Sequence, residues 1–350
     1  MQPAPTDVSE RDSDAQAADL QEKVRFLRHP AHYPHRPDSV EPVETHMSWV
    51  FLAGSFVYKF KKPVRYGPID FSTLEKRHRV CSDELRLNRR FAPETYRGLV
   101  PLRREETGGL SIDGPGEVAE WMVLMRRLPE RYFLDRMMAA GDVEESDLER
   151  AALSLARFYR DASPWEGTPG EYVNLLRTQL RTNRRALREA RDTLAPERAE
   201  PIVAALDRAL ADRKNLLRKR ARRRRIVEGH GDLRPQHVCL RPRPVFFDCL
   251  EFDRSLRLLD PVDEIAYLAM ECEYRGTPRV GEIFYETYAE VTGDEVDPDL
   301  AAFYKAHRAL VRARLALRHR TVPGGGSRKE WVERAATYVS LAGTYAEQLD

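Results

Sequence analysis

One stretch constrains this chain more than any other: Val227 to Phe252, VEGHGDLRPQHVCLRPRPVFFDCLEF. It reads as strand, loop, short strand, turn, short strand. Val238 to Leu240 is a short apolar run. Arg241-Pro-Arg-Pro244 cannot continue a ladder, because proline lacks the N–H donor and fixes φ. Val245-Phe-Phe247 is the return strand, and it ends on Asp248. Asp232 and Asp248 are thereby expected at opposite ends of a small hairpin, with His230 and His237 flanking the first. That pattern suits phosphoryl transfer. One carboxylate orients or deprotonates the attacking hydroxyl, and another group holds Mg²⁺ on the nucleotide phosphates. H-G-D alone is a weak signal, since glycine and aspartate are ordinary turn residues. The pieces gain weight by occurring together and in order.

His230-Gly-Asp232-Leu233, with position 237 five residues after Asp232, resembles the H-G-D-L-x-x-x-N catalytic loop of aminoglycoside phosphotransferases and their relatives in the protein-kinase-like fold. Asp248, opening Asp-Cys-Leu-Glu-Phe252, resembles their metal-binding aspartate. Asp260-Pro-Val-Asp263-Glu-Ile-Ala266 resembles the D-x-x-x-D-L-A segment, with Asp263 as the aspartate that braces the catalytic loop. The resemblance implies an α+β, protein-kinase-like two-lobed fold. Its small lobe would be an antiparallel β-sheet with one helix, its large lobe mainly helical, with ATP and Mg²⁺ between them. It also implies Asp232 as catalytic base, with His230 beside it, and Asp248 as metal ligand. The departure is His237, where the family has a metal-binding asparagine. Imidazole is a softer ligand, better suited to Zn²⁺, Fe²⁺ or Ni²⁺ than to Mg²⁺. Altered metal use, with Mn²⁺ as the alternative ion, is the expectation at His237.

A chain of 350 residues is long enough for two cores, since single cores stop growing near ~250–300 residues. The hydrophobic share is 42% and the charged share 33%, which is a globular composition. The formal net charge of +2 gives no global field toward nucleic acid or an anionic membrane. No apolar run approaches the ~18 residues of a membrane span, and no apolar leader opens the chain. Four cysteines without a C-x-x-C pair fit a reduced, cytoplasmic setting and small core roles, and give zinc no support.

Residues 1–18 are polar and read as a disordered tail, residues 19–128 as the nucleotide-binding small lobe, and 129–350 as the helical large lobe with the catalytic loop and substrate site. In the small lobe, Trp49-Val-Phe-Leu52 and Phe56-Val-Tyr58 are strands joined by a turn at Ala53-Gly-Ser55. Period-2 alternation puts Val57, Lys59 and Lys61 on one face. Lys59 is the expected phosphate-binding lysine and Lys61 the second choice. Glu44-Thr-His-Met-Ser48 precedes these strands, so Thr45 and Ser48 are expected to serve the phosphate-covering loop in the absence of a G-x-G-x-x-G. Residues 44–63 further resemble a bacterial subgroup often fused to a P-loop kinase domain, and this chain reads as the stand-alone version.

Ser72-Thr-Leu-Glu75 reads as a capping box that starts a helix, and Glu84 borders its buried stripe as the partner for the strand lysine. The last strand of a five-stranded sheet ends near Met125 to Arg127, where the resemblance places backbone contacts to adenine. Helical stripes follow Asp147. The basic block Arg213 to Arg225 reads first as a solvated helix face and second as a nucleic-acid patch. The acidic residues from Asp248 to Glu273 read as exposed, or as lining a pocket for a cationic substrate. The function expected is ATP-dependent phosphorylation of a hydroxyl on a small molecule. A catalytically weak nucleotide-binding regulator and a nucleic-acid-binding protein are the alternatives.

Overall fold

The structure, a computed structural model, describes residues 7–66, 69–190, 196–319 and 327–349. It divides into two compact units. The first runs to Pro129 and also takes in Phe247–Phe252; the second comprises Glu130–Phe246 and the chain from Asp253 onward. The Phe247–Phe252 segment, which carries Asp248, thus belongs with the β-rich unit, not with the helical part where residues 129–350 are expected as one block.

In the first unit, helix α1 (Asp7–Leu27) precedes strands β1 (Val40–Glu44), β2 (Ser48–Ala53), β3 (Phe56–Lys61), β4 (Arg65–Tyr66) and β5 (Ile69–Asp70). Helix α2 (Leu74–Arg89) and strands β6 (Tyr96–Arg104), β7 (Leu110–Ile112) and β8 (Glu117–Arg126) follow. The main sheet is antiparallel in the order β1-β2-β3-β8-β6-β7, and β4 pairs with β5 as a separate ribbon. It has six strands where five are expected, because β1 adds an edge strand. Residues 7–18 lie on α1 rather than in a disordered tail; they contain no proline or glycine, the residues that disfavour a helix most. Val24 and Leu27 of α1 pack with Tyr33, Trp49, Phe51, Phe60 and Met122 in the core of this unit. The cap of α2 sits one residue later than the motif implies. Thr73 accepts the Lys76 N–H, while Ser72 is engaged by Asp70.

The second unit opens with helices α3 (Leu134–Ala140), α4 (Glu145–Asp161), α5 (Pro169–Glu189), α6 (Pro196–Asp212) and α7 (Lys214–Arg222). Short strands β9 (Val227–Glu228), β10 (Val238–Cys239), β11 (Val245–Phe246) and β12 (Leu258–Leu259) form two small pairs, β10 with β11 and β9 with β12. Helices α8 (Pro261–Tyr274), α9 (Arg279–Thr292), α10 (Pro298–His319) and α11 (Arg328–Ala346) complete it. All four cysteines are buried and free. No described helix is long and apolar enough to cross a membrane.

The α8 part of the acidic stretch is consumed inside this unit, and so is part of the basic block. Asp260, Asp263, Glu264 and Glu271 are buried on α8 or its cap, neither exposed nor lining an acidic pocket. Arg308 meets Asp263 through two contacts of 2.7 Å, and Arg312 reaches Glu271 at 2.7 Å. In the basic block, Arg220 is buried and bridges Asp260 and Asp294, with Nη2 at 2.8 and 2.7 Å from them. Arg213 pairs with Asp299 at 3.1 Å. Exposed arginine in the block is confined to Arg222, Arg223 and Arg224.

Buried ion pairs are costly to break on one side only, because the abandoned charge stays desolvated. Arg220→Ala leaves the buried Asp260 and Asp294 without their cation, and the expected loss is about 3–5 kcal/mol in urea unfolding. A loss within about 0.5 kcal/mol, the size of an ordinary surface substitution, contradicts this structural assignment.

Candidate active site

The first unit assembles a ladder of alternating charge. Lys59 and Lys61 project from the same face of β3, as alternation requires. Glu84 on α2 lies between them, Oε1 at 2.8 Å from Lys59 Nζ and Oε2 at 2.7 Å from Lys61 Nζ. Beyond each lysine stands another carboxylate: Asp248 Oδ1 at 2.8 Å from Lys59, and Glu251 Oε1 at 2.5 Å from Lys61. The order is Asp248, Lys59, Glu84, Lys61, Glu251. Burial works to raise the Glu84 pKa, but the two ammonium groups outweigh it and hold the carboxyl below the usual glutamate range. Burial likewise works against both lysines, and their carboxylate neighbours raise them, so both remain cationic.

The two lysines differ in access. The side chains of Lys59 and Asp248 are 14% and 42% exposed, whereas those of Lys61 and Glu251 are 2% and 8% exposed. A ligand can reach Lys59, and Lys61 is sealed in. The sequence leaves this choice open, because register alone gives both lysines the same face.

Asp248 adopts φ +62°, the left-handed region that aspartate tolerates better than most side chains. Its N–H donates to the Tyr96 hydroxyl at 3.1 Å, and the Cys249 N–H donates to Asn88 Oδ1 at 2.9 Å. Asn88 lies one helical turn past Glu84 and donates to its carbonyl at 2.8 Å. One helix therefore carries the lysine's partner and the anchor of the Asp248 loop. Tyr96 and Asn88 are not among the residues singled out from the sequence.

The β1–β2 turn is closed on itself. Thr45 Oγ1 donates to the Ser48 carbonyl and accepts the Ser48 N–H, both at 2.9 Å. These side chains build the turn rather than standing open to a phosphate, and Ser48 is buried. At the end of β8, the Arg126 and Arg127 N–H groups donate to the Thr95 and Ser55 carbonyls, and Met125 pairs with Val57 and Tyr96. The amides of Arg126 and Arg127, within the expected adenine contact, are already engaged by the sheet.

The second unit fixes the H-G-D loop through Glu264. Its Oε2 accepts the His230 N–H at 2.8 Å, its Oε1 accepts the Gly231 N–H, and Tyr159 donates its hydroxyl to the same carboxylate. Asp263, expected in this bracing role, is instead taken by Arg308. Counting D-x-x-x-D from Asp260 lands on position 264, where this chain has a glutamate. The clamp needs Gly229. A Cβ at that position would stand 2.5 Å from Glu264 Oε2 and 2.9 Å from Leu259.

Within the loop, the Asp232 carboxylate meets Arg234 Nη2 at 2.7 Å and the Tyr267 hydroxyl at 3.1 Å. Burial pushes its pKa up, but Arg234 and then His237 outweigh that and hold it below the usual aspartate range. Asp232 is accordingly a carboxylate at neutral pH. His230 is buried, accepts the Asp232 N–H on Nδ1 at 3.3 Å, and stacks on His237. It supports the loop from beneath. His237 Nδ1 lies 2.8 Å from the Asp232 carbonyl and so carries its proton there; Nε2 faces Arg234 Nη2 at 3.3 Å as an acceptor. Both ring nitrogens are committed and a guanidinium sits against the second, so His237 is poorly placed as a metal ligand. Asp248, with hard oxygen donors at an accessible position, fits Mg²⁺, which commonly takes one or two carboxylates and completes its shell with water and phosphate. Among the described residues no group of three His, Cys, Asp or Glu forms a metal cluster.

No family model matches the chain. An uncharacterized protein of Mycobacterium tuberculosis is 36% identical over 276 residues, which is 78% of this chain and 53% of that protein. One from Mycobacterium bovis matches to the same extent. The chain spans about half the length of these relatives. Among solved structures, a choline/ethanolamine kinase family protein from Mesorhizobium loti superposes with a TM-score of 0.52 at 14% identity, covering 94% of this chain and 99% of that one. A choline kinase from Cryptosporidium parvum gives a TM-score of 0.55 at 9% identity, covering 93% and 96%. At such identities the likeness is one of fold.

Arg234→Gln removes the main group that depresses the Asp232 pKa. A carboxyl with a depressed folded pKa stabilises the fold above its unfolded pKa, and that stabilisation is lost as pH falls through the folded value. The Asp232 carboxyl carbon, followed by NMR, is therefore expected to titrate at higher pH in Arg234→Gln than in the wild type. An unmoved titration, or one moved downward, contradicts the assignment.

Proposed function

We propose that this chain, whose fold is that of the choline/ethanolamine kinase and choline kinase structures on which it superposes, is an ATP-dependent phosphotransferase acting on a hydroxyl of a small molecule. The observation that carries this reading is the Lys59–Glu84–Asp248 cluster, a cation and a carboxylate held side by side at an accessible edge by a buried partner. Lys59 would hold the α- and β-phosphates, with Glu84 keeping its ammonium in place. Asp248 would hold Mg²⁺, which neutralises charge on the phosphates during transfer. Lys61 and Glu251 set the position of Glu84 and of the Asp248 loop rather than touching nucleotide.

Asp232 would orient the acceptor hydroxyl and accept its proton. Its low pKa makes it a weak base, so orientation is its main contribution, with the proton leaving as the new bond to phosphorus forms. Adenine contacts would use backbone groups near Met125 and Arg127 that the sheet leaves available, and Thr45 and Ser48 would act by shaping the turn over the phosphates.

A catalytically weak nucleotide-binding regulator is the second reading, supported by the commitment of both His237 nitrogens. One measurement separates the two. ADP formation from ATP and Mg²⁺ is expected for the wild type, and Asp232→Asn is expected to lower it by ~10²–10⁴-fold, the usual contribution of a general base. ATP affinity should persist in that variant. Wild-type ADP formation no faster than that of Asp232→Asn favours the regulator.

A further inference from the structure

Helix α8 meets the H-G-D loop at two points. Glu264 accepts the His230 and Gly231 N–H groups from behind. Tyr267, three residues on and so on the same helix face, donates its hydroxyl to Asp232 Oδ1 at 3.1 Å. The first contact fixes the loop's backbone, and the second reaches the carboxylate itself. Arg234 Nη2 holds the other oxygen, Oδ2, at 2.7 Å, and His237 Nδ1 stands 3.6 Å from it. One donor on each oxygen sets the plane of the carboxylate. Each oxygen keeps a second lone pair, and the side chain is 23% exposed, so a hydroxyl can still be met.

Tyr267 is itself firmly seated. It is buried, and the Arg308 guanidinium lies over its ring, 5.0 Å from the centroid. Arg308 is pinned in turn by both oxygens of Asp263 at 2.7 Å. A side chain locked by packing in this way can lock another. The two donors to Asp232 are not equivalent. A guanidinium only donates and keeps its charge, whereas a phenol is neutral and can also accept. Burial raises the Tyr267 pKa, so the hydroxyl keeps its proton. Tyr267 therefore orients the carboxylate without the loss of basicity that a second cation would impose.

We propose that Tyr267 is a positioning residue for phosphoryl transfer, holding the Asp232 carboxylate in the plane from which it meets the acceptor hydroxyl. The inference rests on the phosphotransferase reading and adds a residue to that site. The acceptor oxygen bonds to the γ-phosphorus, the bond from that phosphorus to the β–γ bridging oxygen breaks, and ADP leaves. The hydroxyl proton passes to Asp232 and then to water. Tyr267 takes no part in these bond changes and acts only through Asp232, so its effect disappears when Asp232 is removed.

The test is Tyr267→Phe, which deletes the hydroxyl and keeps the ring under Arg308. ADP formation from ATP and Mg²⁺ is followed against pH and ATP concentration in the full chain, in this variant, in Asp232→Ala and in the double variant. Tyr267→Phe is expected to lower kcat ~10- to 100-fold, the worth of one hydrogen bond to a charged group, with the KM for ATP unchanged. The acid limb of kcat should move to higher pH, because the ionised carboxylate loses a donor. The other charged groups acting on Asp232, which are Arg234 and His237 in the loop and Arg312 on α10, are the same in this variant. NMR of the Asp232 carboxyl carbon should show the same upward move without turnover. In the Asp232→Ala background the substitution should have no further effect. An unchanged kcat, an unmoved Asp232 titration, or an equal fall in the Asp232→Ala background overturns this inference alone. No ADP formation by the wild type overturns the phosphotransferase reading, and this inference with it.

Discussion

Glu84 is the point on which the first unit turns. A fully buried carboxylate is stable only with cations against it, and here two lysines from one strand supply them. This arrangement does more than neutralise charge. It fixes the spacing between β3 and α2, and through Asn88 on the same helix it fixes the backbone of the Asp248 loop. Lys61 and Glu251 close the sealed end of the ladder. Lys59 and Asp248 are left as its accessible end. Rigidity at one end and access at the other suit a group that must hold a ligand without rearranging to do so.

The second unit uses a buried carboxylate in the same way but on backbone. Glu264 accepts two consecutive N–H groups of the catalytic-type loop, and Gly229 leaves room for it. With the loop held from behind, Asp232 can be surrounded by Arg234, Tyr267 and His237 without the loop shifting. These contacts make it an oriented anion with a depressed pKa. Chemistry that depends on positioning, with little demand for a strong base, is well served by such a group.

What was legible in the sequence follows from how local each cause is. Alternation places Lys59 and Lys61 on one face, and helical periodicity brings Glu84 to the buried edge of α2, because both depend only on near neighbours. The order of loop, hairpin and second aspartate is legible for the same reason. The partners of the acidic residues on α8 are not. Arg308 and Arg312 lie more than forty residues from Asp263 and Glu271, so a run of carboxylates reads as a surface until the helices are packed. The same blindness hides Arg220 as a core residue inside a basic run. Nor can local pattern show that Phe247–Phe252 packs with a unit whose other residues end at Pro129, since that is a matter of tertiary contact. The choice between Asp263 and Glu264 was available from spacing, but the glutamate at position 264 obscured it.

The central claim is that Lys59 and Asp248 form a metal-nucleotide site. Calorimetric titration of ATP into the protein, with and without Mg²⁺ and repeated on Asp248→Ala, tests it most directly. ATP binding that Mg²⁺ strengthens is expected in the wild type, with loss of that Mg²⁺ dependence in the variant. Absence of ATP binding, or Mg²⁺-dependent binding that survives Asp248→Ala, would contradict it.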